Sequence, residues 1–286
     1  MKMSMREKNL LARRLSSWSM ALATATTLGL LSNQAEAIPV GWTCAGSCGT
    51  LGANGAVPVP PVPSGATTYD WISTNTGSSS NNGANIGVSG GTETNGTLLT
   101  SSVFNISTAD AGTATAKLQF AFDFVTSDGS GFPDYAWARL FDTDTSTIVG
   151  YLVTARTEPS GSIIPGSGMP GIIAGLTPPS VPIITGAGST DWAPLGGSSG
   201  SCYLGFGQGC GNTGWVLSDY TIPTAGNYEL QFGVMNENDT AFQTGMAISG
   251  ATIGGTPIVS VPEPASLALL GIGLAGLGLA RRREQG

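Results

Sequence analysis

The stretch KLQFAFDFVT, Lys117 to Thr126, decides how this chain folds. In an extended strand, successive side chains point to opposite faces. Leu118, Phe120, Phe122 and Phe124 therefore share one face, and that face requires a core. Lys117, Gln119, Ala121 and Asp123 fall on the other. NYELQFGVMN repeats the pattern with Tyr228, Leu230, Phe232 and Val234. DYAWARLF and TIVGYLVTAR read as a hairpin around Asp142–Ser146. TTYDWIST, TLLTSSVFNI, GWVLSDYTI and MAISGATIGG supply further strands. No long apolar stripe of 3.6-residue period interrupts them, and Gly and Pro clusters punctuate the chain.

Short strands, frequent turns and no helices between them predict an all-β fold: a single antiparallel β-sandwich of jelly-roll type. An immunoglobulin-like sandwich fits less well. A β-solenoid would show a fixed sequence period, and none is present. Glu158 to Gly200 differs in being rich in Gly, Pro and Ser. Structureless loops of this length are uncommon inside compact domains. The segment is expected to run over one end of the sandwich, with one or two short strands of its own.

Both chain ends read as targeting segments. Lys2, Arg6, Lys8, Arg13 and Arg14 precede an apolar run, and Ala35-Glu36-Ala37 closes it as a cleavage site, so residues 1–37 read as a secretory signal peptide. The sandwich domain is then 38–260. Within it three basic residues, Lys117, Arg139 and Arg156, face fourteen acidic ones, a formal charge of −11. Such a surface cannot neutralise phosphates, which excludes nucleic acid as a partner.

Export places the four cysteines in an oxidising compartment, where disulfides are expected. Three pairings are possible. The local pairs Cys44–Cys48 and Cys202–Cys210 are favoured because each closes a short Gly-containing loop. A four-thiolate zinc site is disfavoured by the spacing and by the absence of histidine. That absence also removes Ser-His-Asp and Cys-His catalysis.

Carboxylate chemistry remains. Asp123, Asp128, Asp134, Glu158 and Asp191 could supply a glycosidase pair, but no spacing selects two of them. Calcium is the better candidate. TSDGSGFPDYA places Asp128 and Asp134 in a Gly-rich loop, and NENDT places Asn238 and Asp239, with Asn236 and Glu237, at a strand end. Oxygen ligands on loops suit Ca²⁺. Trp42, Trp71, Trp137, Trp192 and Trp215 are the candidate sugar platforms, against the usual packing role of such residues.

The tail reads VPEPASLALLGIGLAGLGLARRR, Val261 to Arg283. Ala265–Ala280 would rise ~24 Å as a helix, against a hydrocarbon core of ~30 Å. Local thinning would let it span, with Arg281, Arg282 and Arg283 as a cytoplasmic stop. A simple anchor would not need Pro262-Glu263-Pro264. The signal peptide, this motif, the glycine-rich apolar segment and the arginine cluster together resemble the PEP-CTERM sorting signal. The resemblance assigns residues 261–286 to a sorting signal with a transmembrane helix. It implies recognition by an exosortase of the export machinery, and membrane tethering before processing near Pro262–Pro264. Release to the cell surface or medium follows, in bacteria that make exopolysaccharide.

The body has its own resemblance. Gly41-Trp42-Thr43-Cys44, Cys48–Gly52, TSDGSGFPDYAWARL, APLGGSSGSCY, GCGNTGWV and FGVMNENDTAFQTGMAISGATIGG resemble an uncharacterised family of secreted proteins with this tail. That likeness implies no activity. The expectation is a non-enzymatic surface or matrix protein. The alternatives are a carbohydrate-binding module on exopolysaccharide and, further off, a glycoside-active enzyme.

Overall fold

The computed structural model describes residues 38–259, apart from 63–64, 77–79, 89, 130, 159–161 and 206–208. The signal peptide, the Pro262–Pro264 motif, the apolar tail and Arg281–Arg283 lie outside the described residues. The chain separates into Met1–Glu36 and Ala37–Gly286, and the second unit holds every described element.

The described chain is nearly all β. In order its strands are β1 (Thr43–Ala45), β2 (Ser47–Gly52), β3 (Thr68–Ser73), β4 (Glu93–Thr100), β5 (Phe104–Ile106), β6 (Lys117–Thr126), β7 (Tyr135–Asp142) and β8 (Thr147–Arg156). There follow β9 (Ser162–Ile164), β10 (Gly175–Thr177), β11 (Val181–Pro182), β12 (Gly211–Asn212), β13 (Val216–Thr221), β14 (Gly226–Glu237), β15 (Thr244–Ile253) and β16 (Thr256–Pro257). Two short 3₁₀ turns, Ala114–Ala116 and Ala193–Ser198, lie between strands.

One sheet runs β10-β13-β6-β15-β3-β2, the other β1-β4-β14-β7-β8. The pairings within both are antiparallel. The sheets share a core. Phe120, Phe122 and Phe124 of β6 lie buried in one cluster with Leu230, Phe232 and Val234 of β14. Phe120 meets Phe232 edge to face at 5.2 Å. The alternation in β6 therefore points as its sequence predicts. β7 and β8 form the expected hairpin, and Asp142 Oδ1 accepts from the Asp144 and Thr145 N–H groups in its turn.

The second face of β6 departs from expectation. Ala121, Asp123 and Val125 are fully buried rather than exposed. The segment around Trp192 and Leu195 packs over Val125, together with Val57 and Tyr69, and Thr213 donates to Asp123. Trp192 Nε1 donates to the Tyr69 hydroxyl at 2.9 Å. Part of the Glu158–Gly200 excursion thus forms a third layer over the outer face. It carries three short strands, of which β10 extends the sheet beside β13. The outer face of the other sheet is also covered. Trp137 lies over Gly233 on the adjacent strand, where any Cβ would collide with the indole. Its Nε1 donates to the Ala84 carbonyl at 2.8 Å.

Candidate functional site

At one end of the sandwich the ends of β6, β14 and β15 converge. Thr126 closes β6 and sits opposite Thr244, which opens β15; their hydroxyls lie 2.7 Å apart. The chain then turns through Asp128 to Asp134 before entering β7. Asp134 is fully buried. Its Oδ1 accepts from the Glu237 N–H at 2.9 Å and its Oδ2 from the Thr244 hydroxyl at 2.6 Å. Asp128 is almost as buried, and its Oδ1 accepts from the Gly129 N–H at 2.7 Å. Its Oδ2 meets no donor.

Asn236, near the end of β14, is fully buried. By strand parity it follows Phe232 and Val234 toward the interior. Its Nδ2 donates to Gln243 Oε1 at 3.4 Å, while its Oδ1 has no partner. The β14–β15 connection brings Asp239 alongside.

The electrostatics report the crowding. Burial pushes the Asp128 carboxyl up to about 7, the charge of Asp239 adding to it. Asp134 is raised well above the usual carboxylate range by burial, then by the charge of Asp128, against the hydrogen bonds from Thr244 and Glu237. The basic side chains of the domain are engaged elsewhere. Lys117 pairs with Asp219 at 3.4 Å, Arg139 bonds Gln231 at 2.8 Å, and Arg156 pairs with Glu237 at 2.8 Å. Among the described residues, no three or more His, Cys, Asp or Glu side chains gather closely enough to form a metal site unaided.

Three half-exposed rings stand beside these carboxylates. Tyr203 meets Phe132 at 5.1 Å and Phe242 at 5.4 Å, both edge to face. The Tyr203 N–H donates to the Ser127 carbonyl at 3.0 Å, which ties this ring to the Asp128 turn. Phe242 holds φ +49°, a conformation that bulky residues rarely adopt.

Of the calcium ligands expected from the sequence, Asp128, Asp134 and Asp239 lie at this end of the sandwich. Asn238 is exposed, with its Oδ1 accepting from the Thr92 N–H at 3.0 Å. Asn236, two residues earlier, takes its place. Asp123 lies alone on the outer face of β6, and Asp191 is exposed, so neither joins a carboxylate pair. Of the five predicted tryptophan platforms, Trp42, Trp137 and Trp192 are buried, and Trp71 and Trp215 are partly buried against the Tyr69 cluster, Trp215 meeting Tyr69 edge-on at 5.6 Å. The rings that do reach the mouth are two phenylalanines and a tyrosine, which no spacing in the sequence groups. Both disulfides take the local pairing, Cys44–Cys48 and Cys202–Cys210.

The two ends of the domain meet away from this mouth. Trp42 Nε1 donates to the Ile258 carbonyl at 2.6 Å, and the Ile258 N–H donates to Ala251. A cavity of about 320 Å³ lies there, lined by Trp42, Thr50, Tyr69, Asp70 and Ile258. The sequence just beyond Ile258 carries the targeting information.

Residues 260–283 match the PEP-CTERM protein-sorting motif. A PEP-CTERM motif implies an exported protein, held at the membrane before processing by an exosortase. Among the described residues no helix is long and apolar enough to cross a membrane. No curated protein matches the chain. Among solved structures, the family 11 carbohydrate-binding module of cellulosomal cellulase Lic26A-Cel5E of Clostridium thermocellum aligns at 12% identity and a TM-score of 0.17. The alignment covers 71% of this chain and 91% of that one, and a likeness at that score carries no argument.

Proposed function

We propose that this chain is an exported, non-enzymatic cell-surface or extracellular-matrix protein, a jelly-roll sandwich sorted through its PEP-CTERM tail. The motif at residues 260–283 carries the reading. The strand order supports the fold: β3-β15-β6-β13 faces β4-β14-β7-β8, with successive main strands passing mostly from one sheet to the other. The body would then belong with the uncharacterised secreted family it resembles.

The placement of the chain ends supports display. Thr252, next to Ala251, pairs with Gln119, whereas the carboxylate mouth begins at Thr126. Seven residues of strand at ~3.3 Å each put about 23 Å between the tether side and the mouth. Held at its C-terminus, the domain would present that mouth away from the membrane.

The test separates sorting from simple anchoring. Glu263→Ala leaves the apolar run and Arg281–Arg283 intact, so membrane insertion should persist. Processing should stop, because the enzyme loses the charge between two rigid prolines. Unprocessed protein should accumulate in the inner-membrane fraction. Wild-type processing of this variant would refute the sorting reading.

A second reading has one observation in its favour. Phe132, Tyr203 and Phe242 form a half-exposed aromatic group beside Asp128 and Asp134, the pairing of stacking faces and hydrogen-bond acceptors that a polysaccharide requires. On this reading the domain attaches to exopolysaccharide.

A further inference from the structure

We propose that the mouth between the end of β6 and the β14–β15 connection binds one Ca²⁺, ligated by Asp128, Asp134 and Asn236, with Asp239 closing on it from the connection. This goes beyond the sorting reading and does not depend on it.

Two orphaned oxygens mark the site. Asp128 Oδ2 and Asn236 Oδ1 are both buried, and neither meets a donor. Leaving such acceptors unmade is costly, and each one in a folded protein calls for a physical partner. One lies on the turn after β6 and the other on β14, 108 positions apart in sequence, at the same end of the sandwich. A donor side chain would satisfy one of them. A cation would satisfy both.

Charge points the same way. Asp128 and Asp134 lie buried at this end, with Asp239 on the adjoining connection, while the basic side chains of the domain pair with other groups: Arg156 with Glu237, Arg139 with Gln231 and Lys117 with Asp219. Like charges this close and this buried either take up protons or share a cation. The donor set is entirely oxygen and mixes carboxylates with an amide. That suits Ca²⁺, which accepts six to eight oxygens in flexible geometry, over Mg²⁺, which demands a tight octahedron. Zinc is disfavoured for want of nitrogen or sulfur ligands.

The cluster is not complete as it stands, since among the described residues no three acidic groups converge as a ready metal site. Two features supply the remainder. Asp134 is already aimed, its oxygens held by the Glu237 N–H and the Thr244 hydroxyl, and each carboxylate oxygen retains a lone pair. Asp239 is only partly buried, on a connection two residues beyond β14, and a small movement of that connection would bring its carboxylate in.

The experiment uses the exported protein stripped with a chelator, then titrated with CaCl₂, MgCl₂ or TbCl₃. CaCl₂ at about a hundredfold excess over Kd should raise Tm by roughly 5–10 °C, and MgCl₂ at the same concentration far less. Tb³⁺ should show emission sensitised through Tyr203, and CaCl₂ should quench it by competition. Asp128→Asn preserves shape and removes the ligand charge. It should abolish the Ca²⁺ shift while leaving the calcium-free Tm unchanged or higher. Should that variant not fold, Asp239→Asn, on the partly buried connection, should weaken binding at least tenfold. No Tm shift and no sensitised emission in the wild type would overturn the proposal. So would a Ca²⁺ shift that survives both substitutions.

Discussion

Trp42 and Ile258 are 216 residues apart, yet the Trp42 indole N–H donates to the Ile258 carbonyl at 2.6 Å. The same indole stacks on Phe232 with ring centroids 6.0 Å apart. One side chain thus joins the start of the domain, its far end and the central strand β14. Trp42→Ala should remove both the stack and the clasp, at a cost of about 3–5 kcal/mol. Trp42→Phe should keep much of the stack and orphan the carbonyl, at a cost of about 1–2 kcal/mol. Urea unfolding of the two variants checks the order. Equal losses would mean that the stack contributes nothing beyond the hydrogen bond, and a Trp42→Phe variant as stable as wild type would mean that the hydrogen bond contributes nothing.

Arg156 and Glu237 form the other long-range constraint. Both are buried, and the guanidinium also donates to the Pro133 and Ser167 carbonyls. Breaking a buried pair from one side leaves an uncompensated charge. Arg156→Ala should therefore cost about 3–5 kcal/mol, because Glu237 is left buried without its cation and two carbonyls lose their donor. Glu237→Gln keeps an acceptor for the guanidinium and should cost clearly less. Thermal unfolding of both variants at neutral pH measures the asymmetry.

Much of this architecture is written in residue patterns. The alternation around Phe120 and Phe232 places both inner faces, and the Asp142 turn places a hairpin. Asp123 shows where that pattern stops being informative. Period two says that it lies opposite the phenylalanines, but not whether anything covers it. Its donor is Thr213, 90 residues later, and the cover over its face-mate Val125 comes from Trp192 and Leu195, in a Gly- and Pro-rich segment with no periodicity of its own. The mouth was partly readable for the same reason. Asp128 and Asp134 share a short loop and are near in any fold. That Asn236 rather than Asn238 turns inward depends on where β14 ends, since Asn238 lies one residue past Glu237 with φ +73°, and the Phe132–Tyr203–Phe242 group depends on three separate connections meeting.

The aromatic group gives the carbohydrate reading its sharpest test. Tyr203→Ala removes the central ring and the contacts it makes with Phe132 and Phe242. Loss of a central aromatic contact commonly costs more than about 1 kcal/mol of binding, so affinity for a captured polysaccharide should fall roughly tenfold. The local fold should hold, since all three rings are only partly buried. Trp137→Phe, on a buried ring, should leave affinity unchanged. A polysaccharide pull-down with both variants separates the two outcomes, and an unchanged Tyr203→Ala affinity would remove the mouth as the sugar site.

Asp123 sets a pH dependence of the opposite sign to an ordinary salt-bridged carboxylate. Burial pushes its carboxyl up to about 7, against hydrogen bonds from the Thr213 hydroxyl and from backbone N–H groups. Its Oδ2 has no partner. In the unfolded chain the group ionises near its ordinary 3.8. Between these values the native state holds a proton that the unfolded chain has released, so stability falls as pH rises through this window. Below about 4 both states are protonated and the contribution is fully present. Above about 7 it is lost, with an upper bound of about 4 kcal/mol at ~1.4 kcal/mol per pH unit. Asp123→Asn cannot ionise, and its amide oxygen can still accept from Thr213. The variant should match the wild type near pH 4 and exceed it in stability at pH 8. Asp128 and Asp134 share the same sign, so the difference between variant and wild type, measured in chelator, isolates Asp123. A difference that stays flat from pH 4 to pH 8 would mean that Asp123 is already ionised in its buried position.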